Sequence, residues 1–305
     1  NLYQFSDERP RQREFAHKHT LKTFEFAVRV KAPLVVLHVG SIELKDYTDK
    51  LIEMLGAGEK ESLKYKKLCA ELSEKRDKKK KEFWARTLES LKKLIPEAES
   101  RGLKLGVENR EALEELPIES DYESLFKEIT SPNLVYWHDT GHAQIKENLG
   151  FLNHRQHLES RRDKLAGFHI HDVQFPGKDH CPPGSGMIDF AALAPSVKPE
   201  HIKVFEFSPS MTPEDADGFR YALMKGHLAA AMKLVDEGAG KEAAMHFLHP
   251  LVEIYEPAKA EYAAKKLELD TVKFNVAAEN AALGKPASAI RPMWTALNKQ
   301  VDGLA

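Results

Sequence analysis

Apolar residues in this chain fall into short continuous runs separated by longer stretches of helical periodicity, and five of the runs read as buried strands. They lie at about 34–39, 103–108, 134–139, 167–172 and 202–207. Strands alternating with helices predict a parallel α/β sheet, which gathers its chemistry at the carboxyl ends of its strands. A closed barrel of this kind has eight strands, so five predict a partial one with open edges.

A helical pattern over about 11–31 leads into the first run, and the connection from about 47 to 101 is mostly helical. That connection carries Lys64, Lys66, Lys67, Lys75, Arg76, Lys78, Lys79, Lys80 and Lys81, but Glu71, Glu74 and Glu82 are interleaved. No aromatic stacking platform accompanies the lysines, so a solvated helical face is expected rather than an arm for a phosphate backbone. After Glu206 the texture changes. Thr212-Pro213-Glu214-Asp215 supplies an N-cap with proline at the first helical position, and Ala-rich helices are expected at about 213–236, 240–265 and 267–282. Gly238, Gly240 and the Gly284-Lys285-Pro286 turn break them. The expected organisation is a partial barrel over 1–215 followed by an α-helical domain of unassigned role over 216–305.

Composition narrows the partners. A hydrophobic fraction of 42% in 305 residues supplies a sizeable core, and a formal charge of -2 removes any global electrostatic argument for nucleic acid or membrane. No run is long and apolar enough to span a bilayer, and no signal-peptide pattern opens the chain. Cys69 and Cys181 match no zinc or redox spacing, which fits a reduced cytoplasmic protein. The opening on Asn1 rather than methionine reads as a fragment or a fusion.

The strand ends carry the candidate chemistry. Glu108 follows the apolar stretch Leu103–Val107, where it can face the rim or pair with Arg110 inside the protein. Asp139 and His142 flank Thr140-Gly141 where the chain leaves a strand, a place for ligation or for turn stabilisation. His169 and His171 are two apart and so share a strand face, beside Asp172. Glu206 sits among Val204, Phe205 and Phe207, where a cation or a basic partner must offset its charge. Together these groups are expected to converge on one divalent cation.

With these residues in order, the chain resembles the xylose isomerase-like family of TIM barrels over about residues 15–215. The carriers are Leu37-His38-Val39-Gly40-Ser41, Gly106-Val107-Glu108-Asn109-Arg110, His138-Asp139-Thr140-Gly141-His142-Ala143, His169-Ile170-His171-Asp172, His180 through Phe190, and Phe205-Glu206-Phe207-Ser208-Pro209. The resemblance implies a barrel lacking the first three strands of the family pattern. It also implies one metal held by Glu108, Asp139, His171 and Glu206, with His142, His38 and Arg110 binding substrate. His38, His142 and His180 match the extra zinc histidines of the endonuclease IV branch, which makes His180 an additional candidate ligand. Lys178 stands where that branch has a metal-binding aspartate.

The function this implies is a metal-dependent isomerase or epimerase of a sugar or related polyhydroxy carbonyl compound. The cation, Mn²⁺, Mg²⁺, Co²⁺ or Zn²⁺, acts as a Lewis acid, and Glu108 and Glu206 carry out proton transfer through an enediolate. Two other classes compete: a zinc phosphodiesterase acting on abasic DNA, and a non-catalytic binding or scaffold protein that keeps a relic barrel. A small-molecule substrate is expected, without nucleic acid or membrane, and a homo-oligomer is compatible with the chain. In the tail, His246 and His249 share a helical face and His227 invites a metal reading with them, but no carboxylate completes a site and amphipathic packing is expected.

Overall fold

Helix α1 (Pro10–Arg29) begins with proline at its first turn, where the missing N–H costs nothing, and buries Ala16, Phe24 and Ala27. It precedes β1 (Leu34–Leu37) and the two-residue β2 (Gly40–Ser41) in a computed structural model that describes residues 3–304. Asn1 and Ala305, the ends of the expected domains, lie outside the described residues. Helix α2 (Thr48–Gly56) is followed by α3 (Leu63–Glu99), whose 37 residues extend about 55 Å at the usual helical rise. Ser62 caps α3 by accepting from the Tyr65 amide at 3.0 Å. The lysines of α3 meet their own glutamates one turn away, Lys75 with Glu71, Lys78 with Glu74 and Lys93 with Glu89. Such exposed pairs add only about 0.2–0.5 kcal/mol each, and they give the solvated face expected from the interleaved charges.

The chain continues through β3 (Lys104–Glu108), β4 (Glu115–Leu116), α4 (Asp121–Glu128), β5 (Leu134–Asp139), α5 (Thr140–Leu149) and α6 (His154–Arg161). Then come β6 (Leu165–Ile170), β7 (Asp172–Gln174), β8 (Lys178–Cys181), the single turn α7 (Phe190–Leu193) and β9 (Ile202–Phe205). The main sheet is the five-stranded parallel array β1-β3-β5-β6-β9, in chain order, with helices around it. It is a half-barrel, as the spacing of apolar runs predicts.

Register decides what the sheet can do. Glu108 pairs with Trp137, Asp139 with His169 and Ile170 with Phe205, so the last residues of successive strands arrive at one rim. Two small antiparallel pairs, the long-range β2 with β4 and the hairpin β7 with β8, sit after strand ends and have no counterpart in the apolar pattern. The fourth strand ends at Ile170, two residues earlier than expected, because the chain turns there into β7. Leu37, Leu91, Leu105, Val107, Tyr136 and Phe168 belong to the core of this unit.

Contact clustering divides the chain into one compact unit of Asn1–Cys181 with Ser185–Phe207 and another of Pro182–Gly184 with Ser208–Ala305. The second holds α8 (Pro213–Asp236), α9 (Gly240–His249), a π-helical segment (Pro250–Tyr255), α10 (Glu256–Ala264), α11 (Thr271–Ala282) and α12 (Ala287–Asp302). A capping box between Thr212 and Asp215 starts α8. The expected single helix over 240–265 is three pieces. Pro250 has no N–H to donate and crowds the preceding turn, and the helix widens there. Leu228, Phe247, Ile254, Tyr262, Phe274 and Leu297 form this unit's own core. Among the described residues no helix is long and apolar enough to cross a membrane.

Candidate metal centre

Glu108 ends β3, Asp139 ends β5, His169 lies near the end of β6 and Glu206 directly follows β9. One ligand atom from each lies within 4.8 Å of the others. His169 Nδ1 is 2.6 Å from Glu108 Oε1, 3.2 Å from Glu206 Oε2 and 3.8 Å from Asp139 Oδ2. Three carboxylates thus surround one imidazole, which carries at most a single positive charge. Glu206 Oε2 is shielded from water yet accepts no well-aligned hydrogen bond. Three oxygen donors with one imidazole suit Mn²⁺, Mg²⁺, Co²⁺ or Zn²⁺.

The surrounding groups hold this arrangement. Burial pushes the Glu108 carboxyl upward, but hydrogen bonds with His169 and His38 more than offset it and keep the group well below the usual carboxylate range. Its Oε2 is 2.6 Å from His38 Nε2 and accepts from Arg110 Nη1 at 2.9 Å. Arg110 also binds Glu115 through Nε and Nη2, so the buried ion pair and the ligand reading of Glu108 hold together. Arg110, expected on substrate, is committed to these two carboxylates.

The expected ligand set needs one correction. His169, not His171, stands among Glu108, Asp139 and Glu206. His171 is fully buried with both ring nitrogens engaged: Nδ1 accepts from the His180 amide at 2.9 Å, leaving Nε2 to donate to Asp139 at 3.1 Å. Because β6 ends at Ile170, His171 leaves the strand and is tied by its own amide and carbonyl to the Thr140 hydroxyl. A Cβ on Gly141 would come within 2.0 Å of the His171 ring, so this packing requires glycine. A nitrogen of His171 also lies within 4.8 Å of His180 and Glu206, but neither is unengaged. His180 stacks on His171 with ring centroids 4.3 Å apart, and Asp179 and Glu206 raise its pKa to about 10.

His142 donates from Nδ1 to the Asn109 carbonyl at 2.9 Å, and its other ring nitrogen is left as an acceptor. It groups with Glu111 and Asp179, one ligand atom of each within 4.8 Å of the others. Asp179 therefore brings a carboxylate next to His142 although Lys178 does not. Neither Glu111 nor Asp179 follows from the strand-end reasoning, since both sit in loops or hairpins whose return to the rim only the fold reveals.

Asn109, which is not among the expected site residues, clamps two strand ends. Its Nδ2 donates to the Asp139 carbonyl at 2.9 Å, and its Oδ1 accepts from the Asp139 amide at 2.7 Å and the Tyr136 hydroxyl at 3.1 Å. Behind it lies a buried imidazole network. Tyr136 Oη is 2.7 Å from His138 Nδ1 and 3.0 Å from His157 Nε2, and His138 Nε2 is 3.0 Å from His154 Nε2. Burial drives all three histidines toward the neutral form, His154 to about 3 and His157 to about 4.

A parallel half-barrel with a carboxylate–imidazole centre on its carboxyl rim places this chain among the α/β barrels that keep their chemistry at that end. Residues 1–203 match the xylose isomerase-like TIM barrel family, and the chain belongs to it. Among solved structures it is similar to a D-tagatose 3-epimerase-like protein, at 19% identity and a TM-score of 0.54 over 73% of this chain and 72% of that one. It is also similar to the 3-keto-D-glucoside 4-epimerase from E. coli, at 18% identity and a TM-score of 0.51 over 72% and 73% of the two chains. Comparison with curated proteins returns no match.

Proposed function

We propose that the chain is a divalent-metal-dependent isomerase or epimerase of a sugar or related polyhydroxy carbonyl compound. The observation that carries this reading is the crowding of Glu108, Asp139 and Glu206 around the His169 imidazole at the strand ends. Glu108, Asp139, His169 and Glu206 would hold the cation, which supplies Lewis-acid polarisation of adjacent substrate oxygens. Sugar epimerisation, named for the solved relatives, comes to this chain only as part of this proposal.

Glu206 is the better-placed general base. Its side chain is 36% exposed, whereas the Glu108 side chain is 1% exposed and both of its oxygens are engaged. Glu206 takes the proton from the carbon beside the carbonyl, and the C–H electron pair becomes the double bond of an enediolate. Glu206 or Glu108 returns a proton, to the adjacent carbon for isomerisation or to the opposite face of the same carbon for epimerisation. His171 and the His142 amide fix the Asp139 carboxylate while Asn109 holds the Asp139 backbone, and His142 orients a substrate hydroxyl. The test is incubation of candidate ketoses and aldoses in deuterated water with and without added metal. Metal-dependent deuterium uptake beside the carbonyl, lost in Glu206→Gln, supports the proposal; no exchange into any sugar by metal-loaded protein overturns it.

A second reading rests on the neighbouring Glu111, His142 and Asp179, which with His38 beside Glu108 offer the makings of a multinuclear site. That arrangement suits activation of water for phosphodiester cleavage. Cleavage of an abasic duplex, without exchange into sugars, favours it.

A further inference from the structure

The helical unit contains a second cluster of metal-capable groups, made only of imidazoles. His227 comes from α8 and His246 and His249 from the last turn of α9, and one ring nitrogen of each lies within 4.8 Å of the others. The ring centroids are 5.2, 4.8 and 5.5 Å apart in the three pairs. Sequence spacing alone suggests that these residues simply pack; the fold instead turns them toward one another.

Packing does not account for how they are satisfied. His227 Nδ1 and His246 Nδ1 are 3.0 Å apart, so a proton on one of them serves both. His249 Nδ1 is buried and has no hydrogen-bond partner at all. Its Nε2 lies 3.8 Å from Glu253 Oε1, one turn along, so that a small side-chain rotation makes the carboxylate–imidazole pairing that orients the ring of a metal-bound histidine. The π-helical segment begins at the next residue, Pro250, and wide turns of this kind recur at functional sites.

We propose that His227, His246 and His249 form a Zn²⁺-type transition-metal site in the helical unit, with Glu253 positioning His249. In a tetrahedral zinc site with bonds of about 2.0–2.1 Å, ligand nitrogens stand about 3.3 Å apart, so side-chain adjustments of an ångström or so suffice here. Burial, then the neighbouring imidazoles, lower the proton affinity of His227 and His246, which leaves them in the neutral form that ligation needs. A three-imidazole set without a bound carboxylate favours Zn²⁺ or Co²⁺ over Mg²⁺ or Ca²⁺. This site is independent of the one in the sheet unit and shares no residue with it.

The experiment uses the full chain carrying Glu108→Gln and Glu206→Gln to disable the sheet centre, stripped with chelator and titrated with Zn²⁺ by calorimetry. A parallel titration with Co²⁺ follows the visible bands of tetrahedral cobalt. The expected result is about one Zn²⁺ per chain with tetrahedral cobalt bands. Adding His246→Ala should weaken that binding at least about 100-fold, beyond what loss of an outer partner alone produces, and Glu253→Gln about tenfold. His246→Gln, which keeps a polar side chain of similar reach, repeats the test with helix content followed by circular dichroism. Absence of a bound ion in the sheet-disabled chain, or retention of full affinity in a folded His246→Gln chain, overturns the proposal.

Discussion

In the sheet unit, Glu108, Asp139 and Glu206 crowd one imidazole, whereas in the helical unit three imidazoles crowd one another. The first group sets three carboxylates around the His169 imidazole, with Arg110 and His180 supplying further positive charge. In the second, burial lowers the proton affinity of His227 and His246. The routes of assembly also differ. Parallel register brings together residues as distant as Glu108 and Glu206, while one helical turn and one neighbouring helix assemble the tail cluster. A carboxylate-rich site favours a hard divalent cation; an all-imidazole one favours a softer transition metal.

The comparison is sharpened first at Glu206, whose substitution by glutamine should slow exchange beside the substrate carbonyl by about 10²–10⁴-fold, measured by deuterium uptake. An undiminished rate breaks the assignment of the base. Next, His169→Asn should lower metal affinity in the sheet unit by more than His171→Asn, whose effect should be about 10–100-fold as for an outer partner. Calorimetric titration in a chain carrying His246→Ala checks the order, and the reverse order restores His171 as the ligand. Gly141→Ala, which drives a methyl into the buried His171 ring, should cost about 1–3 kcal/mol in denaturant unfolding.

The smallest effect tests whether imidazole clusters are in fact held neutral. The folded chain depresses His154 to about 3 and His157 to about 4, below the ordinary value of 6.5. As pH falls below 6.5 the unfolded chain therefore takes up protons that the native one refuses, and stability drops toward pH 4; above 6.5 these residues contribute no slope. His154→Gln and His157→Gln should each flatten that slope by up to about one proton, read from unfolding free energies at several pH values. An unchanged slope means the native cluster is already charged.

The strands were legible because their apolar runs are continuous; Glu108 and Asp139 close such runs and Glu206 sits at the end of one, which is what marked them as candidates. His171 was not, because period-two alternation treats His169 and His171 as equals and nothing in Phe168-His169-Ile170-His171-Asp172 marks the turn after Ile170. The small antiparallel pairs escaped for a related reason: strands of two to four residues carry little periodicity, and β7–β8 is what presents Asp179 and His180. In the tail, alanine-rich periodicity announced helices correctly, but where α9 widens depends on how Pro250 is accommodated, and periodicity is blind to that.

Asp139 has a second employment in the fold. Its carboxylate, which faces His169 and His171, also accepts from the His142 amide at 2.8 Å and so caps α5. Replacing it with alanine removes a helix start and a negative charge in one stroke, and the resulting loss of about 1 kcal/mol from the cap alone would pass for weakened ligation. Asparagine caps a helix nearly as well as aspartate, so Asp139→Asn silences the charge while leaving the helix its first turn. The difference between the two variants reports how far the start of α5 and the centre are one cooperative element.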